Sequence, residues 1–424
     1  MKREVIAVVT GIVVAWAAAA RTRAVTPVPA PPTFSREIDR IFQGKCESCH
    51  SPGGVAPFSL VSYRDAFAHA LPIKLMTATR KMPPWKPAKG CGDFLDARQL
   101  SDSEIRTIGA WVDAGAPEGD PRELPPPVVI RDDWKIGVPD LVLTPTEAFT
   151  PPKDADTFRC FVLPGRFSTD LYVKAVDIRP EARDYVHHAE LLIDTTGRAQ
   201  QLDDADPLPG FDIFAGGLEI PFGLLGAWLP DSEPFMLPDD VATKIPSGAA
   251  LVLAVHYHPH DGKIVTDKTA VGLYLAHKPI EKIAKTASFY VDQIDLPAGA
   301  SDIVVQTTKP VEEAMEVYAV RAHMHYLGRS ISGVAVQPDG ARDCLLTVND
   351  WDIHWQGTYR YSSPLLIPAG TRIEVTGHYD NSVWNPANPS FPPREVFGGY
   401  RANDEMCGIE LVYAPADQRV FILP

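Results

Sequence analysis

The sequence predicts a small all-α unit followed by two all-β antiparallel sandwiches, and three observations carry that expectation. Helical spacing and cap signals are confined to residues 33–118. Everything beyond is a succession of short segments rich in β-formers, punctuated by Gly, Pro and Asp. A chain of 424 residues is also too long for one ordinary domain, and its 41 prolines disfavour long helices. The formal charge of −14 argues against nucleic acid as a partner, because phosphate binding needs a basic surface.

The elements follow in order. "MKREVIAVVTGIVVAWAAAARTRA" has a basic start at Lys2 and Arg3, an apolar run from Val5 to Ala20, and an A-x-A pattern. Residues 1–24 therefore read as a signal peptide. The rest of the chain is expected in a periplasm, anchored through the N-terminus if the signal is retained. "TFSREIDRIFQGKC" carries apolar residues at helical spacing. In "LSDSEIRTIGAWVDAG", Ser101 and Glu104 have the spacing of a capping box, and Gly115 suits a helix C-cap. Residues 119–148 form a Pro-rich linker stiffened by Pro125 to Pro127. Strand-like segments then include "DLYVKAVDI", "HHAELLIDT", "AALVLAVHYH", "EVYAVRAHMH", "TRIEVTGHYD" and "GIELVYA". Nearly 290 residues of this pattern exceed one sandwich. The expected division is 149–280 and 281–424, with the joint in "KPIEKIAKT".

Within the helical unit, "CESCH" matches C-x-x-C-H. Cys46 and Cys49 can add to the vinyl groups of a haem c, and His50 becomes an axial ligand. A redox dithiol would call for a βαβ pattern, and a zinc ribbon for a second CxxC; neither is present. Residues 33–118 thus read as a cytochrome c-like domain. Met82, held by Pro83 and Pro84, is the candidate sixth ligand, with Met76 and His69 as rivals. Of the other cysteines, Cys91 has no assigned role.

Three histidine clusters fall in the β region: His187–His188, His256–His258–His260, and His323–His325. Residues i and i+2 of a strand share a face, so His323 and His325 can reach one ion while Met324 points away. His256 and His258 have the same parity. Adjacent His187 and His188 can serve one ion only at a strand end or a bulge. A single pair would most simply be structural; three clusters in one β region point to metal, and imidazole suits Zn, Cu, Fe and Ni.

The order HH, then VHY, then R-x-H-x-H-x-x-G, then D-E-M-C resembles the copper type II, ascorbate-dependent monooxygenases, the peptidylglycine α-hydroxylating and dopamine β-monooxygenase type. The resemblance spans roughly residues 150 to 415, and "DTFRC", Asp156 to Cys160, is similar to the family's first core strand. It implies two jelly-roll-like sandwiches with one copper in each. His187, His188 and His256 would form an all-histidine electron-transfer copper. His323, His325 and Met406 would form a mixed site that binds O2 and carries the catalysis, its thioether favouring Cu(I).

There are departures from the pattern. Cys407 lacks the family's partner in the preceding strand, leaving Cys344 or a free thiol; Cys160 has no obvious partner either. Gly408 and Glu410 stand where peptide-amidating members have Asn and Tyr. Arg321 resembles the arginine that grips a peptide carboxylate, which makes it the substrate-binding candidate.

The expectation is a periplasmic dicopper monooxygenase that hydroxylates a C–H bond of an unidentified small organic substrate with O2. Two coppers and one haem c are its cofactors. The haem, on the same chain, would feed the all-histidine copper and be reloaded by an external cytochrome or quinol system. A copper- and haem-binding electron carrier, or a copper-handling protein without oxygenase activity, is the alternative.

Overall fold

The computed structural model describes residues 30–423, apart from 53, 55, 96, 128–133, 215–222, 230, 231, 260 and 402. The signal-peptide segment 1–24 and His260 lie outside the described residues. Among those residues no helix is long and apolar enough to cross a membrane.

The helical unit opens with a π-helical turn over Phe34–Ile38, capped by the Thr33 side chain. It continues with α1 (Asp39–Lys45), α2 (Tyr63–Ala68), α3 (Ala70–Ala78) and α4 (Asp102–Asp113). The expected capping box is present: Ser101 Oγ accepts from Glu104 N, and Glu104 Oε2 accepts from Ser101 N at 2.7 Å. Gly115 sits at φ +86°, the left-handed geometry of a helix end. Phe34, Ile38, Phe42, Ile108 and Trp111 are buried together, with the Phe42 and Trp111 rings edge to face at 6.4 Å.

The remainder is β apart from α5 (Arg198–Ala205) and a 3-10 turn at Pro121–Glu123. The first half holds β1 (Leu141–Leu143), β2 (Thr157–Val162), β3 (Leu171–Arg179), β4 (Val186–Asp194), β5 (Phe211–Asp212), β6 (Gly223–Trp228), β7 (Val241–Ile245), β8 (Ala250–Tyr257) and β9 (Ala270–Leu275). The second half holds β10 (Lys282–Tyr290), β11 (Asp295–Leu296), β12 (Ile303–Pro310), β13 (Met315–Met324), β14 (Gly328–Val336) and β15 (Arg342–Val348). It closes with β16 (Thr358–Ile367), β17 (Arg372–Tyr379), β18 (Val396–Phe397) and β19 (Cys407–Pro415).

The β region holds two large buried cores. The first is enclosed by the five-stranded sheet β5-β2-β8-β4-β6 and by β1, β9, β3 and β7. The second lies between β12-β17-β14-β15 and the strands β10, β19, β13 and β16. The joint is not a flexible link. β10 begins at Lys282 and pairs in parallel with β7, Lys282 opposite Val241, so that β1-β9-β3-β7-β10-β19-β13-β16 is one eight-stranded sheet shared by both halves.

The helical unit is fastened to the second sandwich by an arm over residues 85–95. Ala88 N donates to Thr347 O at 2.7 Å, Leu95 N to Arg360 O at 2.8 Å, and Ser362 N to Asp93 O at 2.8 Å. Phe94 enters the second sandwich's core. Cys91 forms a disulfide with Cys344, 253 residues away. Cys160 and Cys407 are buried free thiols.

Candidate metal centres

The first centre is built on two neighbouring strands. β4 pairs with β8 with Val186 opposite Tyr257 but His188 opposite His256, so His187 is the extra residue of a β-bulge. The bulge turns two adjacent histidines toward one point. Ligand nitrogens of His187, His188 and His256 all lie within 4.8 Å of one another, and the two Nδ1 atoms of His187 and His188 are 2.9 Å apart.

His256 is buried and stacks on Phe158 at 3.9 Å. Its Nε2 donates to Asp156 Oδ2 at 3.0 Å, and the same carboxylate meets His258 Nδ1 at 2.8 Å. His256 Nδ1 is left buried with no hydrogen-bond partner among the described residues. A buried lone pair without a partner is costly, and a metal ion at the focus of the three rings would use it. Burial, reinforced by the neighbouring imidazoles, pushes His187 down to about 3 and His188 well below its ordinary value; burial also lowers His256. All three are therefore neutral at pH 7, the form that binds a metal.

The second centre lies at the end of β13, where His323 faces Gly408 of β19 and Met324 faces Cys407. Met324 is fully buried in the core, pointing away from the histidines. Met406 stands immediately before β19; it is half-buried, and its carbonyl accepts from Tyr379 at 2.6 Å. The His323 and His325 rings are 5.0 Å apart at 86°. His323 Nδ1 donates to Gln356 Oε1 at 2.6 Å and His325 Nδ1 to Asp404 O at 2.8 Å, which leaves both Nε2 atoms to face a ligand. Glu405 fixes the strand end by accepting from His325 N at 2.9 Å and Leu327 N at 2.6 Å. His256 thus has Nδ1 left over in the first centre, whereas His323 and His325 use Nδ1 for hydrogen bonds in the second.

Arg321 lies between the two sandwiches. Its Nη2 pairs with Glu190 Oε1 of β4 at 2.8 Å, and its Nε is 3.7 Å from Glu410 Oε2 of β19. Tyr290 donates to Glu410 Oε1 at 3.1 Å, and its ring rests where any side chain at Gly408 would have to go. A cavity of about 350 Å³ opens beside Gln356 and is lined by Trp85, Leu224, Phe235, Gln356 and Tyr359.

In the helical unit Cys46 is half-buried and Cys49 buried. His50 Nδ1 donates to Phe58 O at 2.9 Å. Met82 is exposed, as are Phe67, Leu71, Leu75 and Met76.

Sequence reasoning missed His354 and Gln356, and missed the role of Asp156 as partner of His256. His354 Nδ1 is 2.9 Å from His187 Nε2, and Gln356 holds His323. Both lie between β15 and β16 without periodic spacing. The only available signal was a polar pair, H-W-Q, just ahead of a strand.

Residues 282–421, starting at the first residue of β10, match the model of the copper type II ascorbate-dependent monooxygenase C-terminal domain. The match covers about a third of the chain and makes this part similar to the copper-dependent monooxygenases. The chain is similar to peptidyl-glycine alpha-amidating monooxygenase A of Xenopus laevis, 27% identical over 278 residues, which cover 62% of this chain and 27% of that protein. It is also similar to the B form from the same organism, 28% identical over 279 residues, covering 62% of this chain and 28% of that protein. The chain therefore spans little more than a quarter of the length of these relatives. Among solved structures, PNGF-II aligns with 64% of this chain and 65% of its own at 10% identity and a TM-score of 0.28. PNGase F, a glycosylasparaginase from Flavobacterium meningosepticum, aligns with 66% of this chain and 99% of its own at 9% identity and a TM-score of 0.27.

Proposed function

We propose that this chain is a dicopper monooxygenase that inserts one oxygen atom of O2 into a C–H bond of a small organic substrate. His187, His188 and His256 would hold one copper through Nδ1. His323 and His325, through Nε2, would hold the other with Met406. The observation that carries the reading is the buried, unpartnered Nδ1 of His256 at the focus of three neutral imidazoles. Bound copper supplies O2 activation and one-electron transfer. Conversion of R–H to R–OH consumes one O2, two electrons and two protons and releases one water.

The protein's share of the work is positional. Asp156 keeps His256 in the tautomer that offers Nδ1, and Gln356 and Asp404 keep His323 and His325 in the tautomers that offer Nε2. The thioether of Met406 biases its centre toward the cuprous state. Arg321 bears on substrate choice. Its charge is already met by Glu190 and Glu410, so the trio carries one net negative charge. An anionic substrate would have to displace Glu410, and the trio suits a neutral or cationic substrate better than a carboxylate. Peptide amidation, which requires a carboxylate grip, is not part of the proposal.

The two electrons are assigned to a haem c on Cys46 and Cys49 with His50 as axial ligand, reduced by an external cytochrome or quinol system. Support comes from the C-x-x-C-H spacing of Cys46, Cys49 and His50 and from the exposed apolar side chains of Phe67, Leu71, Leu75, Met76 and Met82 in the same helical unit. The export signal and a periplasmic location belong to the same proposal.

The test is O2 uptake by the copper-loaded, haem-matured chain across a substrate panel. Substrate-dependent uptake is expected, and Met406→Ile should abolish it while the all-histidine copper stays bound. Uptake that survives Met406→Ile would remove this methionine from the oxygen site. The occupied guanidinium of Arg321 also fits a copper and haem electron carrier without a substrate, and that reading prevails if no substrate stimulates uptake.

A further inference from the structure

We propose that His354 is a positioning residue of the all-histidine centre, delivered to it from the opposite sandwich by the segment Asp352–Gln356. This rests on the reading of His187, His188 and His256 as copper ligands. The two imidazole nitrogens, His187 Nε2 and His354 Nδ1, are 2.9 Å apart. At that distance one donates and the other accepts. A neutral imidazole has one N–H, and His187 offers its Nδ1 lone pair to the shared focus only when the proton sits on Nε2. His187 Nε2–H therefore donates to His354 Nδ1. The contact fixes both the tautomer and the rotation of the His187 ring, as Asp156 does for His256.

His354 is itself exposed, yet the segment that carries it is pinned on both sides to the other centre. Trp351 Nε1 donates to His325 O at 3.0 Å before it, and Gln356 Oε1 accepts from His323 Nδ1 at 2.6 Å after it. Within the segment, His354 N donates to Asp352 Oδ1 at 3.0 Å and Gln356 Nε2 to Ile353 O at 2.8 Å. Lys86 of the helical arm lies 3.3 Å from Asp350 and 3.9 Å from Asp352. Five consecutive residues thus reach both centres, one through His354 and the other through Gln356.

The experiment uses the full chain carrying His323→Ala and His325→Ala as parent, so that copper occupies only the all-histidine centre. Copper(II) affinity is read by competition with a chelator, and the number of coordinated imidazoles by pulsed EPR. Adding His354→Ala should weaken binding by about 10- to 100-fold with three imidazoles still coordinated. His354→Asn, whose Oδ1 stands near the position of Nδ1, should restore most of the loss. Equal affinity in the parent and His354→Ala would overturn the role of His354 alone. So would a drop in the imidazole count, which would make His354 a ligand, or a failure of Asn to rescue. A parent that binds no copper at this centre would overturn the copper reading itself.

Discussion

Asp156 carries two histidines on one carboxylate, and this makes it the most economical place to disturb the first centre. It stands immediately before β2, so its backbone is set by the sheet while its side chain reaches across to β8. Asp156→Ala should release the His256 ring and weaken copper at the all-histidine centre by about 10- to 100-fold. Chelator competition would check this, and an unchanged affinity would show that ring stacking on Phe158 is sufficient. At this scale the sequence was legible where residue spacing encodes direction. His323 and His325 share a face and Met324 turns inward, as alternation along a strand requires. Asp156, His354 and Gln356 were not legible as partners. Each joins its histidine across 33 to 167 positions, and nothing local in the chain records such a contact. Arg321 shows the same limit from the other direction. The family resemblance suggested a substrate anion for it, and gave no sign of the two carboxylates that meet it from other strands.

Among the elements, β4 is defined by its irregularity. The doublet His187–His188 could converge on one ion only through a bulge, and the register shift falls at His187. β19 depends on an omission. Tyr290 of β10 lies over Gly408, and a methyl group there would overlap its ring. Gly408→Ala should cost about 1–3 kcal/mol by overpacking, measurable as a lower urea midpoint; an unchanged midpoint would mean that Tyr290 moves aside freely.

β2 contributes a pH-dependent link. Arg159 is buried and bonds both oxygens of Asp206 at 2.8 Å. The guanidinium holds the Asp206 carboxyl down at about 2, below its ordinary value of 3.8. A lowered folded value means that the pair stabilises the fold fully above the unfolded pKa, near 4, and loses that contribution as pH falls toward 2. Urea midpoints of the native chain and Asp206→Asn should therefore differ at pH 6 and converge below pH 2. A gap that persists at low pH would mean that the charge of Asp206 is not what matters.

Considered as a whole, the molecule is held together by two unlike fastenings. One is the arm at 85–95, whose disulfide Cys91–Cys344 ties the helical unit to the second sandwich. Cys344→Ser should cost about 2–5 kcal/mol, read as a lower melting temperature. If melting is unaffected, the arm's backbone hydrogen bonds and Phe94 hold the unit unaided. The order of a small helical region followed by β-sheets was legible because composition changes sharply near residue 118. The arm was not, because its extended segments lie inside a helical stretch and find their partners more than 250 residues away.

The other fastening is the parallel pairing of β7 with β10. Because the backbone ladder runs unbroken from one half to the other, it acts as a keel, setting how far apart the two halves stand whatever occupies either of them. The distance between the two histidine centres is then a built-in length of the protein and not an outcome of loading. Small-angle scattering profiles of the metal-free and copper-loaded chain should superimpose. A contraction on loading would mean that the keel bends.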